Sequence, residues 1–240
     1  MNDSTLVQAF SELAAHYEAT VDWEVRELCG LGYRELIGHL ARWVAASNGQ
    51  VVLDVASGTG VSSVEIAKLI GGAGRIVGID ITPAMIAHGT DHIARSGLEA
   101  RISQVCGSGM QMPFVVNSFD VMICGLGTHH MDVKQLLVEA RRVLRGSGYL
   151  VLADVGAPRF WRSFRGRVAM GIALSGFRLF WRSARARAEA DAFSSIHTAG
   201  EWRKLLTDYG FGQVEITEWP PRRFWYPCAL VIKAVLEATS

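Results

Sequence analysis

The chain lacks net charge: 24 Lys and Arg against 23 Asp and Glu leave +1 at pH 7 over 240 residues. So even a balance gives no global field to draw a polyanion, and no nucleic-acid partner is expected. Cysteine is sparse and scattered, at Cys29, Cys106, Cys124 and Cys228, without a CxxC pair. That usage excludes a disulfide frame and a Cys/His zinc site, so no metal is expected, and it suits a reducing cytoplasm. The start, MNDSTLVQAFSELAAHYEA, has neither the basic opening nor the apolar run of a signal peptide. Long hydrophobic runs are missing too. The greasiest stretch of the second half, Val168–Phe177 between Arg167 and Arg178, has ten residues, against the roughly 20 that span a bilayer. A soluble, cytoplasmic protein is expected, with no transmembrane segment, as a monomer or homodimer.

Half of the residues are hydrophobic, enough for a sizeable core. Leu6, Phe10, Leu13 and Tyr17 make one helical stripe, and Leu36, Ile37, Leu40 and Val44 another. Beyond them short apolar runs alternate with helical segments. VVLDV, GRIVGID, ARISQVCG, FDVMICGLG and GYLVLADV read as strands; PAMIAHGTDHIARS, with proline at a first helical position, and VKQLLVEARRVL read as helices. This order implies right-handed βαβ units and a doubly wound, Rossmann-like parallel sheet. From Gly156 the pattern changes: eight arginines and several aromatics pass before the first acid, Glu189. After that come a capped helix from Thr198 and two runs, GQVEITEW and FWYPCALVIKAV, that read as strands able to pair antiparallel at the sheet edge. The expected organisation is one domain: a helical cap over 1–47, a core over 48–155, a helical insertion over 156–197, and a closing helix with strands over 198–240. FWRS occurs at 160–163 and again at 180–183 without longer self-similarity, which reads as coincidence or as paired helix ends.

VVLDVASGTGVSSVEIA, residues 51–67, reads as strand, glycine turn and helix. Glycine has no Cβ to keep a ligand off the backbone, so such a turn is a cofactor cradle. A phosphate loop would need a lysine close behind Gly60, and none comes before Lys68. A dinucleotide fingerprint nearly fits, with Ser63 in place of its last glycine. Asp54 tips the reading towards S-adenosylmethionine (SAM). A strand-end carboxylate repels a pyrophosphate but takes up an ammonium. Asp80 ends the next strand, where an acid accepts both hydroxyls of a ribose.

VLDVASGTG, GIDITPAMI, GSGMQMPFVVNSFDVMICGLGTHHM and EARRVLRGSGYLVLADV resemble, in order and spacing, the motifs of class I SAM-dependent methyltransferases. The ubiquinone/menaquinone C-methyltransferases are the most similar type. The resemblance implies a seven-stranded sheet with its last strand antiparallel. It implies that Asp54, Ala56, Gly58 and Gly60 hold the methionine part of SAM, that Asp80 binds the ribose, and that Ile81 and Met85 flank the adenine. Ser108, Gly109 and Met110 would form the other side of the adenine slot, Gly125 would lie under the sulfonium, and Tyr17 would close over the cofactor. Two positions depart from the pattern: Ala56 replaces the first glycine of the turn, and Ser108 stands where many members have an aspartate.

For the chemistry, His129 and His130 follow the fourth strand at the ligand-binding end of the sheet, and an imidazole with a pKa near ~6.5 suits proton transfer. His130 matches the usual histidine position of the family. Asp154, at the end of the fifth strand, is a candidate for orienting a substrate; His197 reads as an exposed loop residue. Phe160, Trp161, Phe164, Phe177, Phe180 and Trp181 of the insertion are candidates to roof an apolar pocket, and its arginines allow peripheral contact with an acidic membrane. The expected activity is methyl transfer to carbon or oxygen of a small hydrophobic or aromatic acceptor: a polyketide, quinone precursor, terpenoid or lipid-like molecule. The alternative is a protein of this fold that binds SAM but catalyses another reaction, such as a cyclisation.

Overall fold

A computed structural model describes residues 3–44, 49–180 and 183–237, with the side chains of 176–180 and Ser194 set aside. Three helices come first: α1 (Asp3–Leu13), α2 (Tyr17–Cys29) and α3 (Tyr33–Trp43). The first stripe is thus carried by two helices, broken by a 3-10 turn over Ala14–His16. The chain then alternates through β1 (Val51–Val55), α4 (Val61–Ala67), β2 (Arg75–Asp80), α5 (Pro83–Arg95), β3 (Ile102–Cys106), β4 (Phe119–Gly125), α6 (Val133–Val143) and β5 (Leu144–Gly156). The insertion forms α7 (Arg159–Arg162), α8 (Phe164–Phe180) and α9 (Ala184–Ala192), and α10 (Ala199–Asp208), β6 (Phe211–Trp219) and β7 (Cys228–Leu236) close the fold.

The strands form one seven-stranded sheet in the order β3-β2-β1-β4-β5-β7-β6. β1 to β5 pair in parallel, and β7 runs antiparallel to both β5 and β6. The strand order reverses between β1 and β4, which opens a crevice at their carboxyl ends. Two strand limits differ from the expectation. β5 begins at Leu144, four residues before Gly148, because Leu144 pairs with Phe119 ahead of a register shift. β7 begins only at Cys228: Pro227 has no N–H for a ladder, and Tyr226 N bonds Arg223 O in a turn instead.

Burial follows the apolar patterns. The α3 stripe is wholly enclosed, with Leu36, Ile37 and Leu40 at 0% exposure; each such side chain contributes about 1.5–3 kcal/mol. The two FWRS copies have a local cause. Ser163 Oγ accepts from Gly166 N at 3.0 Å and Ser183 Oγ from Ala186 N at 3.1 Å, so each serine caps the start of a helix, α8 and α9. α9 is built on small residues: Ala184, Ala186, Ala188, Ala190 and Ala192 are all buried, and α1 packs closely on it through Leu6 and Ala9. No helix among the described residues is long and apolar enough to cross a membrane.

Candidate cofactor and acceptor sites

A cleft of about 680 Å³ lies at the carboxyl ends of β1, β2 and β4. Ala56, Gly58, Asp80, Ile81 and Met85 line it from the first two strands and α5. Ser108, Gly109 and Met110 line it from the turn after β3, and Leu126, Gly127, His130 and Met131 from the segment after β4. Tyr17, with Leu6 and Phe10 of α1, closes the outer side. The backbone is left-handed at Ala56 (φ 55°) and Leu126 (φ 56°), so both strands that flank the crevice end in a residue held in a sparsely populated conformation.

Three of the residues expected at the cofactor do not line this cleft: Asp54, Gly60 and Gly125. Gly60 (φ 76°) packs against α5, where an added Cβ would stand 3.5 Å from Gly89 O and Ile93. A Cβ on Gly125 would stand 2.8 Å from Ile37 Cδ1 and 3.0 Å from Ser62 Oγ, on the side of α3 and α4. Leu126 and Gly127, not Gly125, line the cleft at this strand end. Asp54 is fully buried behind the turn, its Oδ2 accepting from Ser63 Oγ at 2.6 Å and its Oδ1 enclosed without a partner.

These residues fit SAM. Burial pushes the Asp54 carboxyl up to about 7, with the Asp80 charge adding to it and the Ser63 hydrogen bond opposing. An enclosed carboxylate oxygen without a partner is matched by a cationic group such as the ammonium of SAM. Asp80 takes Gly58 N at 2.9 Å and Thr82 N at 2.8 Å on its two oxygens, which fixes the carboxylate and leaves each oxygen a second acceptor position for a hydroxyl. At Gly109 a Cβ would stand 2.5 Å from Val55 Cγ1, so only glycine keeps this wall of the slot in place. Ser108 Oγ accepts from Met110 N at 3.2 Å and so shapes the same turn.

A second cavity of about 700 Å³ adjoins the cleft. α1 and α2 supply Leu13, Val21, Val25 and Leu28, while Ala192, Phe193 and Ile196 close it from α9 onwards. The two spaces share Phe10, Tyr17, Leu126 and His130. Polar groups are few: Glu24, His129, His130, Arg185 and Glu189, with Arg185 Nη2 bonded to Glu24 Oε1. The insertion does roof this cavity, but not with the aromatics expected. Trp161 is buried elsewhere, donating from Nε1 to Trp225 O at 2.9 Å and stacking near Phe193; Phe160 packs on Phe224; Phe164 is 74% exposed. The side chains of Phe177 and Phe180, and Trp181, lie outside the described residues.

The two histidines differ sharply. His129 Nδ1 lies 2.5 Å from Asp154 Oδ1, and Asp154 Oδ2 accepts from Thr128 N at 2.7 Å and from the Thr128 hydroxyl. Burial alone would lower the His129 imidazole and raise the Asp154 carboxyl, but their mutual attraction and hydrogen bond outweigh it, so His129 is raised and Asp154 lowered. His130 is held well below the usual histidine range by burial and by His129 beside it. Its ring stands edge-on to Phe10 and its buried Nδ1 has no partner. His197, expected on an exposed loop, is half-buried, its ring 5.5 Å from that of Trp202. Glu24, Arg185 and Glu189 were not expected at the site; their helices meet it only in the fold.

Residues 52–148 match the family model described as a methyltransferase domain. The chain is 32% identical over 151 residues to the ubiquinone/menaquinone biosynthesis C-methyltransferase UbiE of Dinoroseobacter shibae, covering 62% of this chain and 58% of that one. It is 34% identical over 111 residues to the demethylmenaquinone methyltransferase of Listeria monocytogenes, covering 46% of each. The chain spans about half the length of the curated relatives it matches. Among solved structures, phosphoethanolamine N-methyltransferase 2 of Haemonchus contortus superposes with a TM-score of 0.70 at 13% identity, over 97% of this chain and 60% of that one. A SAM-dependent methyltransferase from Aquifex aeolicus superposes at 0.61 with 17% identity, over 93% and 98%. Fold, glycine turn and domain match together make this chain similar to the class I SAM-dependent methyltransferases. Ubiquinone/menaquinone C-methyltransferases and demethylmenaquinone methyltransferases are among the proteins it is similar to in sequence.

Proposed function

We propose that this protein moves a methyl group from SAM to carbon or oxygen of a small hydrophobic or aromatic acceptor, a quinone precursor or similar ring compound. The observation that carries the proposal is the pair of adjoining spaces: a cleft matched to SAM and a mostly apolar cavity sharing His130, Tyr17, Phe10 and Leu126 with it. When bound, SAM supplies a methyl group activated by its sulfonium. The protein's part is to bring two reactants into line and to exclude water, which is most of what methyl transfer requires. Asp54 and the turn at Ala56 and Gly58 hold the amino-acid end, with Gly60 setting the turn against α5. Asp80 holds the ribose, and Ile81, Met85, Ser108, Gly109 and Met110 enclose the base. Gly125 brings the β4 end close enough for Leu126 and Gly127 to reach the cleft.

His129 and His130 meet the acceptor's reacting group, since both line its cavity. With Nδ1 committed to Asp154, His129 offers Nε2 as its free position. Quinone precursors come forward because the relatives named above act in that biosynthesis by their names. The cyclase SpnF superposes at a TM-score of 0.66 with 17% identity, which reflects the fold alone; no residue of the site favours a cyclisation. α7 to α9 form the substrate cap of a single domain in this reading. Phe164, Val168 and Ile172, exposed along α8 beside Arg165 and Arg167, support contact with a membrane surface that stores lipid-like acceptors.

Calorimetry with SAM and with S-adenosylhomocysteine is the first test, with micromolar binding of both expected. Transfer of isotope-labelled methyl to a reduced naphthoquinone lacking the ring methyl is the second. Absence of heat with either cofactor would overturn the proposal.

A further inference from the structure

His129, His130 and Glu189 each line the acceptor cavity, and each offers a ligand atom within 4.8 Å of the other two. No hydrogen bond or ion pair joins them among the described residues, although two imidazoles and a carboxylate at that separation are well suited to one. His130 Nδ1 is enclosed and lacks a partner, in a side chain more than nine-tenths buried. Glu189 is half-buried and unpaired, although Arg185, one turn earlier on α9, is committed to Glu24. Asp154 fixes the ring of His129 through Nδ1, which leaves Nε2 as the nitrogen free to take a ligand. A carboxylate behind a histidine, setting its tautomer and orientation, is the usual outer support of a metal-ligating imidazole.

We infer that His129, His130 and Glu189 form a binding site for a divalent first-row transition-metal ion inside the acceptor cavity. Two imidazole nitrogens and one carboxylate on one side of an ion leave its remaining positions open, as in the two-histidine, one-carboxylate arrangement. The donor set suits zinc, cobalt or iron(II) rather than magnesium, which prefers oxygen ligands and keeps its waters. The open positions face the space assigned to the acceptor, so the class of acceptor is one with a ring hydroxyl, or a hydroxyl beside a carbonyl, able to coordinate through oxygen. An ion there acidifies that hydroxyl. The O–H bond breaks, the proton passes to water, and the oxygen keeps the electron pair. The oxygen, or the ring carbon conjugated with it, then forms the bond to the methyl group as the sulfonium–methyl bond breaks and leaves a neutral thioether; after attack at carbon, loss of that carbon's proton to water restores the ring. The use made of the ion rests on the methyl-transfer reading; the existence of the site does not.

The test is titration of the chelator-treated full-length protein with Co²⁺, read by visible absorption, and with Zn²⁺, read by calorimetry. One ion per chain is expected, with d–d bands of a nitrogen- and oxygen-ligated site. Glu189→Gln removes a direct ligand and should weaken binding by more than the roughly 10- to 100-fold that loss of an outer support costs, and His130→Asn at least as much. Circular dichroism of both variants, and the SAM binding heat of Glu189→Gln, whose side chain does not line the cofactor cleft, show that the fold and the cleft persist. Absence of stoichiometric binding, or equal binding by both variants and the parent, overturns the inference. SAM binding without metal binding overturns this site and leaves methyl transfer standing; metal binding without SAM binding does the reverse.

Discussion

The cofactor cleft and the acceptor cavity touch, yet they are built in different ways. Most of the cleft comes from turns that directly follow β1, β2, β3 and β4, and its chemistry sits in backbone groups, glycines and the strand-end acid Asp80, with Asp54 buried behind the first turn. The cavity is closed by helices from opposite ends of the chain, α1 and α2 on one side and α9 on the other. Besides His129 and His130 on the turn after β4, its polar groups are long side chains, Glu24, Arg185 and Glu189, placed by helix packing. A cofactor that never changes is met by parts the sheet itself locates. The second cavity is enclosed mostly by helices, which can shift without disturbing the sheet.

Four measurements press on that contrast, in falling order of effect. Asp54→Asn keeps the hydrogen bond from Ser63 and removes the charge opposite the ammonium. Loss of one partner of a buried charged pair costs about 2–5 kcal/mol, so SAM affinity should fall by about 30-fold or more in calorimetry, with the melting temperature unchanged or raised. Unchanged affinity would remove Asp54 from the site. Gly89→Ala should lower the melting temperature and weaken SAM together. Its Cβ would stand 2.7 Å from Gly58 O and press α5 away from the turn; overpacking of this kind costs about 1–3 kcal/mol. If only stability falls, turn and helix are less coupled than drawn here.

The third measurement is pH. Asp54 is raised to about 7 before SAM binds, so binding must release its proton below that pH. Affinity should fall about tenfold for each pH unit below 7, level off above it, and show proton uptake by buffer in calorimetry. The sign for stability is opposite. A carboxyl raised by burial stabilises the cofactor-free fold most below the usual carboxylate range, and that contribution is lost as pH rises through about 7. The smallest effect is expected on the acceptor side. Arg162 Nε and Nη2 bond Glu201 at 2.7 and 2.8 Å and tie α7 to α10. The pair is about 40% exposed, so Arg162→Gln should cost under about 1 kcal/mol and leave SAM binding as it was. A change in SAM affinity there would show the two halves to be mechanically linked.

The same contrast explains what the sequence discloses. The mostly parallel seven-stranded sheet was legible, and so were the segments that line the cleft, because a Gly turn, a strand-end acid and a proline at a helix start are local signals: Gly58, Asp80 and Pro83 lie in or next to what they shape. Asp54 was legible by type but not by position, since its burial behind the turn depends on α4 bringing Ser63 against it. Gly125 does not line the cleft, because the left-handed residue that turns the chain comes one position later, at Leu126. The cavity was nearly illegible. The aromatics of the insertion looked like a roof, and packing turned Trp161 towards Trp225 instead. His129 and His130 were visible as a pair, but Glu189 lies 59 residues beyond His130, and no spacing rule spans that distance.

The alanines of α9 bear on how such a protein changes its acceptor. Ala192 is buried and sits in the wall of the cavity, contributing no polar group and no large contact. A bulkier residue at that one position would shorten the cavity by its own length while Asp54, Asp80 and the sheet stay where they are. Selectivity for acceptor size is then held by a residue with no chemistry of its own. A lineage could exchange one acceptor for another by a single-residue step, without passing through a form that has lost its cofactor.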